Sequence, residues 1–119
     1  MTRAGEEYRR AKRRRAQEPI DVFDTMAEQT IGRIGNLSET GMMLLVTREM
    51  LDDALFQLRF VLPHGASGGR RIEVGAHQLW SEEASSPGQF WCGFRFIDIA
   101  PDDLDLLRLW VDAPGGEYA

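Results

Sequence analysis

The sequence contains little of the chemistry that supports disulfides, metal centres or enzymatic catalysis. Its one cysteine, Cys92, cannot form a disulfide within the chain, and among aromatic neighbours it is expected to be a buried, inert thiol. The only histidines, His64 and His77, have no partners at the spacing of a zinc site or a catalytic triad. Glu82 and Glu83 are adjacent carboxylates in a polar loop, which is typical of a solvated turn. We therefore expect neither a metal centre nor an enzyme.

Long hydrophobic runs are also missing. No stretch approaches the roughly 20 apolar residues that cross a bilayer, and the charged N-terminus is not followed by the apolar segment of a secretory signal. We therefore expect a soluble, cytoplasmic protein that does not insert into a membrane. With 43% hydrophobic and 28% charged residues, the 119-residue chain is expected to form one domain with a modest core.

The net charge of −5 conceals a strongly basic segment. Residues 1–15 contain seven basic and two acidic side chains, a net charge of +5, which leaves −10 for the remainder. This split predicts an acidic body with a basic arm that binds an anion, whether a phosphate, a nucleic acid, an anionic lipid surface or the protein's own acidic face. Because the arm has almost no apolar side chains to bury, we expect it to be flexible without a ligand.

Six segments have the alternating pattern of β-strands and are separated by short polar or glycine-rich turns. They are residues 19–23, 28–38, 41–47, 55–62, 71–80 and 89–99. Strands joined by short turns favour an antiparallel sheet or a small barrel over a βαβ arrangement.

From Pro101 the apolar period becomes helical, and three aspartates lie where the helix dipole favours negative charge. The apolar positions are Leu104, Leu107, Trp110 and Val111. The pattern predicts a C-terminal helix that packs on the sheet, followed by a loose tail after the glycine pair at 115 and 116.

The stretch NLSETG, residues 36–41, places small polar side chains at the end of the second predicted strand. Because side chains alternate along a strand, Asn36 and Ser38 share one face and Leu37 faces the core. The amide and hydroxyl supply donors and acceptors, and Gly41 has no Cβ to block a ligand. The alternative is an Asx or serine turn that closes a β-hairpin, with Gly41 as a left-handed residue.

The arm contains two overlapping arginine pairs with R-x-x-x-R spacing, Arg9 with Arg13 and Arg10 with Arg14. This spacing followed by N-x-S-x-x-G resembles the PilZ domain, the bacterial receptor module for cyclic di-GMP. The resemblance covers nearly the whole chain, because the apolar strand after Gly41, a later strand-ending tryptophan, a GFRF strand and a closing helix follow in order.

The resemblance implies a mainly β fold, a six-stranded antiparallel β-barrel with a C-terminal α-helix and a flexible basic N-terminal arm. The implied organisation is an arm at residues 1–17, a barrel domain at 18–114 and a loose tail at 115–119. It also implies a receptor with no cofactor other than its ligand, cyclic di-GMP.

The ligand residues that the resemblance implies are Arg10, Arg14, Asn36, Ser38 and Gly41, with Arg9, Arg13, Arg15 and Trp80 as further candidates. The two arginines would contact guanine and phosphate, because a guanidinium fork binds both bidentately whereas a lysine does not. The overlapping registers leave open which pair does so. The asparagine would bind a guanine Watson–Crick edge, and the serine phosphate or base.

The pattern alone leaves open how much two of these positions, Asn36 and Trp80, contribute to ligand binding. Many PilZ domains have Asp where this chain has Asn36, and because a charged acceptor forms stronger hydrogen bonds, we expect weaker binding here. Trp80 would either stack on a guanine, a contact worth about 1–3 kcal/mol, or pack in the core or against the helix. Its strand parity with Ile72 and Val74 favours packing in the core or against the helix.

The implied function is a cyclic di-GMP receptor or adaptor whose arm becomes ordered on the ligand, so that a downstream effector protein recognises the changed surface. One alternative is an adaptor of the same fold that has lost nucleotide binding. Another is an electrostatic binder of nucleic acid or anionic membranes through the arm, which we do not favour and which predicts steep salt dependence.

Overall fold

The structure, a computed structural model, describes residues 11–48, 50, 53–63 and 68–119, which form seven strands and one helix. The strands are β1 (Arg14–Arg15), β2 (Asp21–Asp24), β3 (Gln29–Leu37), β4 (Gly41–Val46), β5 (Leu55–Pro63), β6 (Gly69–Glu83) and β7 (Phe90–Ile99), and the helix is α1 (Pro101–Asp112). Short turns join most of the strands, as the sequence predicts.

Six of the strands form a closed antiparallel barrel. Their order is β3, β2, β5, β6, β7 and β4, and β4 pairs back onto β3. Closure pairs the strand edges that an open sheet would expose. The predicted six-stranded antiparallel barrel with a C-terminal helix is thereby confirmed, and β1 is a short addition to β3 outside the ring.

The barrel interior holds the apolar side chains that alternate along the strands. Val22, Leu44, Leu58 and Ile72 are completely buried. Helix α1 buries one face, including Leu107, against β5 and β6, which accounts for its helical apolar period. Within the described part of the chain, no helix is both long and apolar enough to span a membrane.

A β-bulge in β6 places Trp80 on the outside of the barrel. The pairing with β7 shifts between Gln78 and Trp80, so that Gln78 is buried while Trp80 remains 39% exposed. The indole lies over Gly93, where a Cβ would collide with its Nε1 atom. The prediction that Trp80 packs in the core is wrong, because the extra residue of the bulge reverses the strand parity on which it relied.

The arm and the tail are paired with each other. The backbone N–H of Arg15 donates to the Glu117 carbonyl at 2.7 Å, and that of Ala119 donates to the Arg13 carbonyl at 2.9 Å. Arg14 forms an antiparallel bridge with Tyr118 on one side and pairs with β3 on the other.

The expected loose tail is therefore corrected, because residues 117–119 satisfy backbone groups on the free edge of β1. The described part of the arm, residues 11–17, likewise lies along the barrel. The expected flexibility of residues 1–10 concerns a segment outside the described residues.

Candidate functional site

Ser38 organises the hairpin between β3 and β4. Its hydroxyl accepts hydrogen bonds from the backbone N–H groups of Thr40 at 3.1 Å and Gly41 at 3.2 Å. It donates its proton to the Gly41 carbonyl at 3.3 Å, and it lies 3.1 Å from the Thr40 hydroxyl, a pair in which either oxygen can donate. Since Ser38 is completely buried, its donor and both acceptor positions are used within the turn. This is the serine turn given above as the alternative to a ligand contact.

Position 41 must be a glycine because its backbone lies directly against β7. Among the described glycines, positive φ occurs at Gly68, Gly88 and Gly115, so Gly41 is not the expected left-handed residue of the turn. A Cβ at this position would collide with the carbonyl oxygen of Phe94. The glycine therefore allows β4 to pair with β7 at the edge of the site.

Asn36 connects the two sequence motifs. Arg13 Nη1 donates a hydrogen bond to Asn36 Oδ1 at 3.2 Å, across 23 positions of the chain. Asn36 is only 6% exposed, whereas the Arg13 side chain is exposed to solvent. The guanidinium thus has one N–H committed to the hairpin side and further N–H groups for a ligand.

Arg14 points to the carboxyl end of α1. Its Nη1 atom donates to the carbonyls of Trp110 at 2.6 Å and Ala113 at 3.2 Å, and its guanidinium lies 4.9 Å from the centroid of a Trp110 ring. The last turn of α1, which the structure describes in full, contains no basic residue of its own. Arg14 supplies the positive charge that the end of the helix dipole favours.

The second arginines of the two R-x-x-x-R pairs, Arg13 and Arg14, therefore contact different parts of the molecule. Arg13 lies beside Asn36, whereas Arg14 stabilises the helix end. Arg15 pairs with Asn36 along the backbone, and its side chain is exposed. The other members of the pairs, Arg9 and Arg10, lie outside the described residues.

A cleft of about 900 Å³ separates the arm from the barrel. It is lined by Ala11, Lys12, Arg13, Thr40, Gly41, Leu79, Phe94, Arg95, Tyr118 and Ala119. Its volume is within the range of small-molecule sites, and its lining combines three cations with apolar and aromatic surface. Such a lining suits an anion that also carries planar rings.

Most of the lining residues were not singled out from the sequence, and among them Lys12, Arg95 and Tyr118 have side chains suited to a ligand. Arg95 alternates with the phenylalanines of β7, a pattern that shows an outward side chain but not what it faces. Lys12 is one of several basic residues in a run, and Tyr118 lies in the expected loose tail. Lys12 Nζ is 2.9 Å from Asp112 Oδ1, and this hydrogen-bonded carboxylate raises the pKa of Lys12.

Other candidates lie apart from the cleft. Trp80 does not line it, and Cys92 is buried. His77 Nε2 is 3.2 Å from Asp53 Oδ1, an exposed pair, while His64 is outside the described residues. Across the described ranges, no three His, Cys, Asp or Glu side chains are grouped to hold a metal ion.

The family model of the PilZ domain matches residues 7–113, which include the arm, the barrel and the helix. This chain belongs to the PilZ family. No protein of curated function matches the sequence.

Solved structures share the PilZ fold of this chain. The inhibitor of motility MotI/DgrA from Bacillus subtilis superposes with a TM-score of 0.72 at 18% identity, over 86% of this chain and 49% of that chain. The PilZ domain of YcgR from Escherichia coli with c-di-GMP gives 0.63 at 19% identity, over 85% and 87%. YcgR in complex with c-di-GMP gives 0.61 at 22% identity, over 83% and 42%. The present chain thus spans about half the length of MotI/DgrA.

Proposed function

We propose that this PilZ domain is a receptor for cyclic di-GMP that acts as an adaptor and not as an enzyme. The observation that carries the proposal is the hydrogen bond from Arg13 to Asn36, which joins the arginine motif and the NLSETG motif beside one cleft. Membership of the PilZ family supports it, as does the likeness in fold to a PilZ domain with c-di-GMP.

The charges of the cleft match this ligand. Cyclic di-GMP carries two phosphates, and Lys12, Arg13 and Arg95 line the cleft with three cations. A guanidinium binds phosphate oxygens or the O6/N7 edge of guanine through paired N–H groups. Leu79, which is exposed, adds apolar surface against which a base can lie.

The arrangement of the arm favours Arg9 and Arg13 as the ligand pair. In this proposal Arg13 contacts the ligand and Arg14 holds the arm against α1, so the initial assignment of Arg10 and Arg14 is revised. Asn36 fixes the guanidinium of Arg13, and Ser38 maintains the turn that positions Asn36. Gly41 preserves the strand pairing at the base of the cleft.

Signalling is proposed to depend on the arm. Residues 11–17 lie along the barrel, and Lys12 and Arg13 within them line the cleft where they would contact the ligand. The ligand and the arm together would then present a surface that a downstream effector protein recognises.

Isothermal titration calorimetry with cyclic di-GMP tests the proposal. Wild type is expected to bind, and Arg13→Ala and Asn36→Ala are expected to bind at least about tenfold more weakly, since each removes a hydrogen bond to a charged group. Arg71→Ala is the control matched in charge, because Arg71 is exposed on β6 and does not line the cleft.

Absence of heat with folded wild-type protein would favour an adaptor that does not bind the nucleotide. An equal loss in Arg13→Ala and Arg71→Ala, with no loss in Asn36→Ala and a steep dependence on salt, would favour the electrostatic alternative.

A further inference from the structure

We infer that Tyr118 belongs to the ligand site and that its ring stacks on a guanine base. This inference rests on the proposed function. Tyr118 lines the cleft and remains 40% exposed. It lies beyond residues 7–113, the part of the chain that the PilZ family model matches, so it is an addition made by this chain's own tail.

The ring is held in place before any ligand arrives. The Tyr118 hydroxyl donates to the carbonyl of Val111 at 2.6 Å, which attaches the outer end of the ring to the last turn of α1. The backbone on either side is attached to the arm through the hydrogen bonds between Arg15 and Glu117 and between Ala119 and Arg13. A side chain fixed at both ends loses little conformational freedom when it binds a ligand.

The surroundings of the ring select a base that is attached to phosphate. Lys12 Nζ lies 5.5 Å from the centroid of the Tyr118 ring, and Arg13 and Arg95 line the same cleft. An aromatic face alone would accept many apolar groups, whereas an aromatic face among cations favours a nucleotide. The tail therefore supplies the planar contact, and the arm and β7 supply the charges.

Substitution at position 118 separates the ring from the hydroxyl. Tyr118→Phe keeps the ring and loses the bond to Val111, so its affinity for cyclic di-GMP is expected to remain within about threefold of wild type. Tyr118→Leu loses the ring and is expected to bind about tenfold more weakly, the loss typical of one base–aromatic stack. Calorimetry measures both, and thermal unfolding shows that each variant is folded.

An NMR readout on the wild-type complex does not depend on the stability of a variant. Stacking predicts nuclear Overhauser effects between guanine H8 and the ring protons of Tyr118. Wild-type affinity in Tyr118→Leu, equal losses in the Leu and Phe variants, or absence of these effects in a saturated complex would overturn the inference.

The outcomes also distinguish this inference from the proposed function. If Arg13→Ala abolishes binding while Tyr118→Leu binds normally, the receptor function stands and the role of Tyr118 is refuted. If folded wild type does not bind cyclic di-GMP, both are refuted.

Discussion

Replacing Arg14 with alanine tests whether this arginine serves the fold and not the ligand. The variant loses a short hydrogen bond to the Trp110 carbonyl, a longer one to the Ala113 carbonyl and the contact with the indole. Hydrogen bonds from charged donors contribute about 1.5–3 kcal/mol each, but Arg14 is half-buried, and the two carbonyls would bind water in its absence.

We take the lower limit for the short hydrogen bond, half of it for the long one, and about 0.5 kcal/mol for the cation–π contact. The free energy of unfolding should then fall by about 2.75 kcal/mol. A chain of this length loses about 4 °C in melting temperature per kcal/mol, so the expected decrease is about 11 °C.

Thermal and urea unfolding followed by circular dichroism measure this loss. Arg15→Ala is the matched control, because the neighbouring side chain is exposed, and it should change stability by less than about 0.5 kcal/mol. Equal melting temperatures for the two variants, together with loss of cyclic di-GMP binding only in Arg14→Ala, would refute the structural role and restore Arg14 as a ligand residue.

Three further substitutions test the hairpin. Ser38→Ala removes the acceptor of two backbone N–H groups and should lower the free energy of unfolding by about 1–3 kcal/mol, and an unchanged urea midpoint would contradict this. Gly41→Ala places a Cβ against the Phe94 carbonyl and should cost more than about 2 kcal/mol, which a melting curve like that of wild type would disprove. Asn36→Asp gives Arg13 a charged acceptor, so calorimetry should show tighter binding of cyclic di-GMP, and weaker binding would count against the proposed geometry.

The sequence was sufficient to predict the elements of the fold whose apolar pattern repeats over many residues. Alternation predicted the strands of an antiparallel sheet or small barrel, and the helical period from Pro101 predicted α1, because each pattern rests on many residues that agree. The resemblance to the PilZ domain narrowed the first of these to a six-stranded barrel. The two motifs predicted that the arm and the hairpin meet, and the hydrogen bond between Arg13 and Asn36 joins them.

The sequence was insufficient where a single residue or a long-range contact determines the position of a side chain or segment. A single bulge moved Trp80 from the core side to the outside. In the extended arm, no apolar pattern indicates that Arg13 and Arg14 face different partners. Pairing of residues 117–119 with the arm and the contact of Gly41 with β7 are long-range, so neither leaves a local pattern.

The proximity of residues 117–119 to the arm affects how the protein should be prepared. An affinity tag fused after Ala119 would begin at the wall of the cleft. Histidine tags would add titrating groups beside Lys12 and Arg13, so affinities measured near neutral pH would partly report the tag. Binding experiments therefore require protein from which the tag has been cleaved.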